Sequence, residues 1–367
     1  MSGDIILVIV VGTALAFDFT NGFHDTANVV ATSISTRATS PASAVAVASL
    51  LNFAGAFISL KVAATVGKGF VSSHAITTTV VFAGLVGAIS WNLITWYLGL
   101  PSSSSHALIG GLVGSAIAAQ GFDAVNGHGL LSKLIVPAIV APLVAFSAAG
   151  ISILLAYRIV GKLRPGPVSR GFRLGELASG GLLALSHGTN DAQKTMGVIT
   201  LALIANGSIP AEGFHVPDWV VISAASAIAL GTFTGGWRII RTMGTRIIDM
   251  DPAQGFAAQG AGATVILAAS SVGYPLSTTH VISGGIMGAG AAKRFSAVRW
   301  GVAGDIVTAW VLTLPAAGIF AAVVYGISRL FGTGAVGPLV VTIAMMAGLA
   351  LLFARRIQEA APAPSAQ

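Results

Sequence analysis

Two aspartates, Asp25 and Asp191, stand inside long apolar stretches, each within a polar patch that the chain carries twice. Asn21-Gly22-Phe23-His24-Asp25-Thr26-Ala27-Asn28 recurs as His187-Gly188-Thr189-Asn190-Asp191-Ala192-Gln193-Lys194. A carboxylate at membrane depth costs about 3 kcal/mol on insertion scales, and such groups face a water-filled cavity, a partner charge or an ion. One Asp alone would be explained as well by a helix–helix ion pair. Two in related settings, with Asn28, Asn190 and Gln193 alongside, supply hard oxygen donors for a small cation or a proton, and Asp25 and Asp191 equally suit a divalent metal. His24 can relay a proton near neutral pH, or can sit neutral with one hydrogen bond to a neighbouring helix. Lys194, standing where the first copy has Asn28, needs an anion: Asp191, Asp25 or an anionic substrate.

A second pair follows each patch at nearly constant distance. Gly99-Leu100-Pro101-Ser102-Ser103-Ser104-Ser105-His106 returns as Gly273-Tyr274-Pro275-Leu276-Ser277-Thr278-Thr279-His280, and both run on into Gly-Gly-x-x-Gly (Gly110, Gly111, Gly114; Gly284, Gly285, Gly288). Ser103, Ser104, Ser105, Ser277, Thr278 and Thr279 place hydroxyls ahead of helices, where free N–H groups and the positive dipole end share one space. Helix capping accounts for one such turn. Two related turns reaching toward the middle of the membrane point to an oxyanion site. His106 and His280 come next and are expected to hold tip geometry rather than touch the ligand.

Composition sets the medium. The 367 residues are 54% hydrophobic and only 8% charged, against about a quarter charged in soluble domains. The chain is read as an all-α polytopic membrane protein. Its 46 glycines suit close helix packing or helix breaks. The net charge of +7 sits in loops between apolar runs, where it orients a membrane protein, and gives no case for nucleic acid. Without cysteine there is neither a disulfide nor a thiolate metal site.

The elements that position these patches form two repeats. Residues 4–36 would make one helix of about 50 Å, longer than the ~30 Å of hydrocarbon, so a break is expected at Asn21-Gly22 and its counterpart at 187–190. Residues 42–60 read as a span. Residues 76–119 read as a helical hairpin with its tip at 101–105, and 134–157 as another span. The second half repeats the order from 174, with a basic amphipathic surface segment at 238–255 and a second hairpin tip near 275–279. The expected organisation is a first repeat at 1–157, a basic linker at 158–173, a second, inverted repeat at 174–328, and an extra helix with a short tail at 329–367. Basic residues make the linker and C-terminus cytoplasmic and the N-terminus periplasmic, with Lys61 and Lys68 against the rule. Inverted repeats with paired polar breaks are the pattern of a secondary transporter.

These motifs, from about Phe17 to Trp310, closely resemble the inorganic phosphate transporter (PiT) family. The resemblance implies a symporter for inorganic phosphate in the cytoplasmic (inner) membrane, with inverted halves and commonly a homodimer. In sodium-coupled relatives the first patch reads Gly-x-Asn-Asp; here His24 holds that Asn position, and Lys194 holds that of a later Asn. This resembles the bacterial low-affinity, proton-coupled branch, whose substrate is a metal–phosphate complex, so the coupling ion is expected to be a proton, with sodium the alternative and a divalent metal co-transported. No resident cofactor is implied.

Ser103–Ser105, Ser277–Thr279 and Lys194 are therefore expected to hold phosphate, and His24, Asp25, Asn28, Asn190, Asp191 and Gln193 to hold the coupling cation or proton. A sulfate symporter would use the same architecture; paired broken helices suit gated alternating access better than a passive anion channel, which concentrative uptake would exclude. A membrane-embedded hydrolase is disfavoured, since neither Gly-x-Ser-x-Gly nor His-Glu-x-x-His occurs, and ATP drive by the absence of a P-loop. If His24 relays the driving proton, its replacement by Gln shifts the pH profile of uptake; an unchanged profile makes it structural.

Overall fold

The computed structural model describes residues 2–210, 212–332 and 334–360; residues 361–367 of the expected C-terminal tail lie outside it. The apolar stretches become helices, which satisfy their own backbone groups where water is absent. Among the described residues the only extended pairing is an isolated bridge between Val71 and Val125. The first repeat comprises α1 (Ser2–Ser35), α2 (Pro41–Gly55), α3 (Lys61–Lys68), the hairpin α4 (Thr78–Leu98) and α5 (Ser104–Gln120), and the short α6 (Gly127–Leu130), which passes through one wide turn into α7 (Val136–Val160). The second comprises α8 (Pro165–Ala205), α9 (Asp218–Thr234), α10 (Trp237–Arg241), the hairpin α11 (Pro252–Ser271) and α12 (Thr278–Lys293), and α13 (Trp300–Leu330). The extra helix α14 (Val336–Ala360) follows.

Gly3–Ser35, Thr78–Leu98, Gly127–Val160 and Trp300–Leu330 are each long and apolar enough to cross a bilayer, and Asp218–Thr234 with Trp237–Arg246 adds a span bent by 59°. The chain is a multi-pass membrane protein. The expected span at 42–60 is shorter: α2 stops at Gly55 after 15 residues. The expected linker at 158–173 is mostly helix, because Pro165 falls in the first turn of α8, where proline's missing N–H has no helical partner to lose.

The expected breaks are also absent. α1 is one helix of 34 residues and α8 one of 41. Gly22 and Gly188 serve contact instead. A Cβ on Gly22 would stand 2.4 Å from the Ile228 carbonyl oxygen of α9, and one on Gly188 would stand 2.1 Å from that of Asn52 in α2. The glycines let each long helix touch the backbone of the other repeat's second helix.

That exchange runs through the molecule. α1 packs on α9 as α8 packs on α2, and α5 packs on α13 as α12 packs on α7. The pairing is reciprocal, as the inverted-repeat expectation requires. Each hairpin is walled by the last span of the opposite repeat, so both tips come to the middle of the bundle beside α1 and α8.

Replacing Gly188 by Ala should lower the melting temperature in detergent, since overpacking costs about 1–3 kcal/mol. Gly166→Ala, whose added methyl meets nothing within 4 Å, is the control; equal melting of the two variants would contradict the close-approach role.

Candidate functional site

The two patches lie side by side on α1 and α8, sealed from solvent: Asp25 is 2% exposed and Asp191 0%. In both, the residue before the Asp ties the helix to the hairpin of its own repeat. His24 Nε2 lies 3.1 Å from Thr95 Oγ1 and 3.3 Å from Ser102 Oγ. Asn190 Nδ2 donates to Ser270 Oγ at 2.7 Å and to the Tyr274 carbonyl at 3.2 Å. The residue one turn after the Asp reaches the opposite repeat. Asn28 Nδ2 donates to Thr278 Oγ1 at 3.1 Å and Thr279 Oγ1 at 2.9 Å. Lys194 Nζ donates to Ser105 Oγ at 2.5 Å, to the Leu276 carbonyl at 2.8 Å, and to Asp191 in a close ion pair. Three acceptors around one ammonium satisfy it fully.

Asp25, His187 and Asp191 each present one ligand atom, all within 4.8 Å of one another. Asp25 also has His24 Nδ1 at 2.8 Å and the Thr279 hydroxyl at 3.4 Å, and Asp191 the Thr278 hydroxyl at 3.1 Å. The state of His187 follows from its supports. Thr232 Oγ1 donates to the Ile228 carbonyl at 2.8 Å, so it accepts from Asn52 Nδ2 at 2.8 Å. That turns Asn52 Oδ1 toward His187 Nδ1, 3.2 Å away, which must carry the hydrogen. His187 Nε2 then faces Asp191 Oδ2 at 2.9 Å without hydrogen-bond alignment. A nitrogen lone pair and a carboxylate oxygen at that separation need a proton or a cation between them. Two carboxylates and an oriented imidazole fit a divalent ion as well as a proton.

Beside this cluster stand the two hairpin tips. Ser103 Oγ accepts from His106 N at 3.1 Å and Ser277 Oγ from His280 N at 3.3 Å; both are N-caps and are taken up by that role. Backbone bonding within α5 and α12 begins at the N–H groups of Ala107 and Val281, so those of Ser104, Ser105, Thr278 and Thr279 belong to the unpaired first turns. Ser104 Oγ is buried without a partner. Ser105 Oγ donates to the Leu276 carbonyl at 3.0 Å, joining tip to tip. Two helix N-termini, the free Ser104 hydroxyl and an ammonium converge where a tetrahedral oxyanion can sit.

Other expected residues land elsewhere. Gln193 is committed to α3, its Oε1 accepting from the N–H groups of Val62 at 2.8 Å and Ala63 at 3.2 Å. His106 and His280 meet edge to face at 4.7 Å behind the tips, and His280 stacks on Trp310 at 4.0 Å. The expectation missed His187, although it precedes Asp191 by one turn on the same face. It also missed Asn52, a lone Asn in an apolar helix, and Asp18, which the second copy does not repeat.

The model of the phosphate transporter family matches residues 21–168 and again 164–321, once per repeat. A protein of Mycobacterium tuberculosis described as a probable low-affinity inorganic phosphate transporter is 52% identical over 89% of this chain and 78% of its own length. A Bacillus subtilis protein of the same description is 43% identical over 88% of this chain and 96% of its own. A solved structure described as the sodium-dependent phosphate transporter superposes with a TM-score of 0.77 at 24% identity, over 89% of this chain and 99% of the other, and shows a shared fold.

Ser103→Ala and Ser277→Ala should each lower stability by about 1 kcal/mol, the worth of an N-cap, read as a lower melting temperature with transport retained; loss of transport at unchanged stability would place these hydroxyls on the ligand.

Proposed function

This chain belongs to the phosphate transporter family, whose members are transporters rather than enzymes, and from that premise we propose that it imports inorganic phosphate across the cytoplasmic membrane by proton-driven symport, a divalent cation travelling with the anion. The observation that carries the reading is the meeting of two helix N-termini with Lys194 beside Asp25, His187 and Asp191.

Phosphate binds the N–H groups and hydroxyls of Ser104, Ser105, Thr278 and Thr279, with Lys194 as counter-charge. The same threonine hydroxyls point at the carboxylates. They donate to Asp191 and Asp25. Phosphate competes for those hydrogens and for Lys194. The carboxylates, deprived of donors in a low-dielectric site, then require a proton or metal ion in exchange. Binding of anion and cation is thereby linked, and either alone leaves uncompensated charge. His24, paired with Asp25 through Nδ1, takes the proton from the outer side. Asp25, His187 and Asp191 hold the metal, with the unpaired Oδ1 of Asn28 near at hand. The loaded, neutralised centre lets the tips of the opposed repeats part toward the cytoplasm.

Proton coupling is supported by His24 and Lys194, which stand where the sodium-coupled pattern has Asn. The fold shared with a protein described as sodium-dependent bears on architecture, not on the ion.

Purified protein in proteoliposomes should accumulate labelled phosphate under an inward proton gradient without sodium, with magnesium stimulating and sulfate competing poorly. Asp191→Asn should abolish uptake while folded protein remains. Ser104→Ala should raise KM about tenfold, the scale of one hydrogen bond to a charged group. Sodium-dependent uptake, equal competition by sulfate, or normal transport by Asp191→Asn would overturn the respective part.

A further inference from the structure

Asp18 is a third carboxylate in the core, used neither by the duplicated patches nor by the scheme above. It lies on α1 about two turns before Asp25, on the same face, and is 0% exposed. Neither of its oxygens has a hydrogen-bond partner. Asn21 and, from α8, Thr195 flank it, and Asn21 Oδ1 and Thr195 Oγ1 are themselves buried without partners. The charged groups that act on it are Asp191 and Lys194, both of α8. On α1 the nearest titratable groups are His24 and Asp25. α2 and α4 carry no charged residue, and α9 carries only Asp218, at the end away from the stretch that meets α1 at Gly22. α5 and α12 contribute His106 and His280, which pair with each other behind the tips.

The duplication sharpens the point. Where the first repeat has Asp18 the second has Ala184, and where the first has Asn28 the second has Lys194. The two departures are charges of opposite sign, brought within electrostatic reach across α1 and α8. An ionised carboxylate in an apolar core demands donors for both oxygens or a positive partner. A metal ion would need about six oxygens, and Asp18, Asn21 and Thr195 together offer four, with an ammonium nearby to repel it. A proton needs one oxygen. The neutral acid donates to Asn21 Oδ1 and accepts from the Thr195 hydroxyl, which satisfies all three unpartnered groups at once.

We infer that Asp18 is a proton-carrying residue of transport, distinct from the Asp25–His187–Asp191 cluster. The inference rests on the symport reading above. When phosphate draws Lys194 toward itself, the ammonium's charge is neutralised and Asp18 binds a proton from the outer side. When phosphate leaves to the cytoplasm, Lys194 again favours the carboxylate and the proton is released there. The linkage is reciprocal: protonated Asp18 strengthens phosphate binding.

The test measures two quantities in proteoliposomes: phosphate exchange without a gradient, and protons taken up per phosphate with a pH-sensitive dye inside. Asp18→Asn mimics the protonated acid. Its phosphate exchange should continue, its gradient-driven accumulation should fall about fortyfold, the scale that one charge moving down ~100 mV supplies, and the proton-to-phosphate ratio should drop by one. Asp18→Glu should keep coupled uptake with a shifted pH profile. A native ratio and native accumulation in Asp18→Asn overturns the inference, as does a folded Asp18→Asn that has lost exchange, or loss of coupling in folded Asp18→Glu. Failure of the unmodified protein to exchange phosphate would instead sink the transport reading.

Discussion

A carboxylate buried in a lipid-spanning protein must have a positive or hydrogen-donating partner in every state the protein visits. Asp25 and Asp191 place that constraint at the centre of this fold. Asp191 has the Lys194 ammonium and the Thr278 hydroxyl, and Asp25 has His24 and the Thr279 hydroxyl. None of these partners is fixed for good. The threonines sit on a hairpin tip, and Lys194 also holds Ser105 and Leu276 of the two tips. On the proposed reading, an anion arriving at the tips is therefore felt by the acids, which answer by taking up positive charge.

The rest of the architecture keeps those groups in register. α1 and α8 remain unbroken through their polar patches. Backbone-level contact through Gly22 and Gly188 clamps them to α9 and α2. The tips are braced separately, by N-caps at Ser103 and Ser277, by the His106–His280 pair and by Trp310, whose Nε1 donates to the Pro101 carbonyl at 3.1 Å. The long helices carry the carboxylates, and the braced tips carry the hydroxyls that face them. The interlacing of the repeats means that a shift of one tip presses on the last span of the other repeat.

Much of this was legible in the sequence. A repeat written twice in a chain with few charges fixes two related helices, two related tips and the carboxylates between them. The departures have physical reasons. Asn21-Gly22 reads as a break because glycine weakens an isolated helix, yet against a neighbouring backbone it is the residue that permits contact. The prolines at 165 and 167 read as linker because they cannot sit inside a helix, but in the first turn they start one. Gln193 reads as a ligand because it is polar beside Asp191, while its side chain faces the start of α3. Comparison of the two copies also hid what only one copy has. Asp18 drops out when the repeats are superimposed, and His187 is paired with Asn21 rather than seen as part of the Asp191 face. Asn52 acts only through His187, which no linear pattern reports.

The claim on which the account turns is that phosphate cannot enter the centre without positive charge entering with it. Calorimetric titration of the purified protein with inorganic phosphate, repeated in buffers of different ionisation enthalpy with and without magnesium, measures this directly. Binding should take up protons and tighten as magnesium is added and as pH is lowered. Phosphate binding with the same affinity at every pH, with no proton uptake and no response to magnesium, would contradict it.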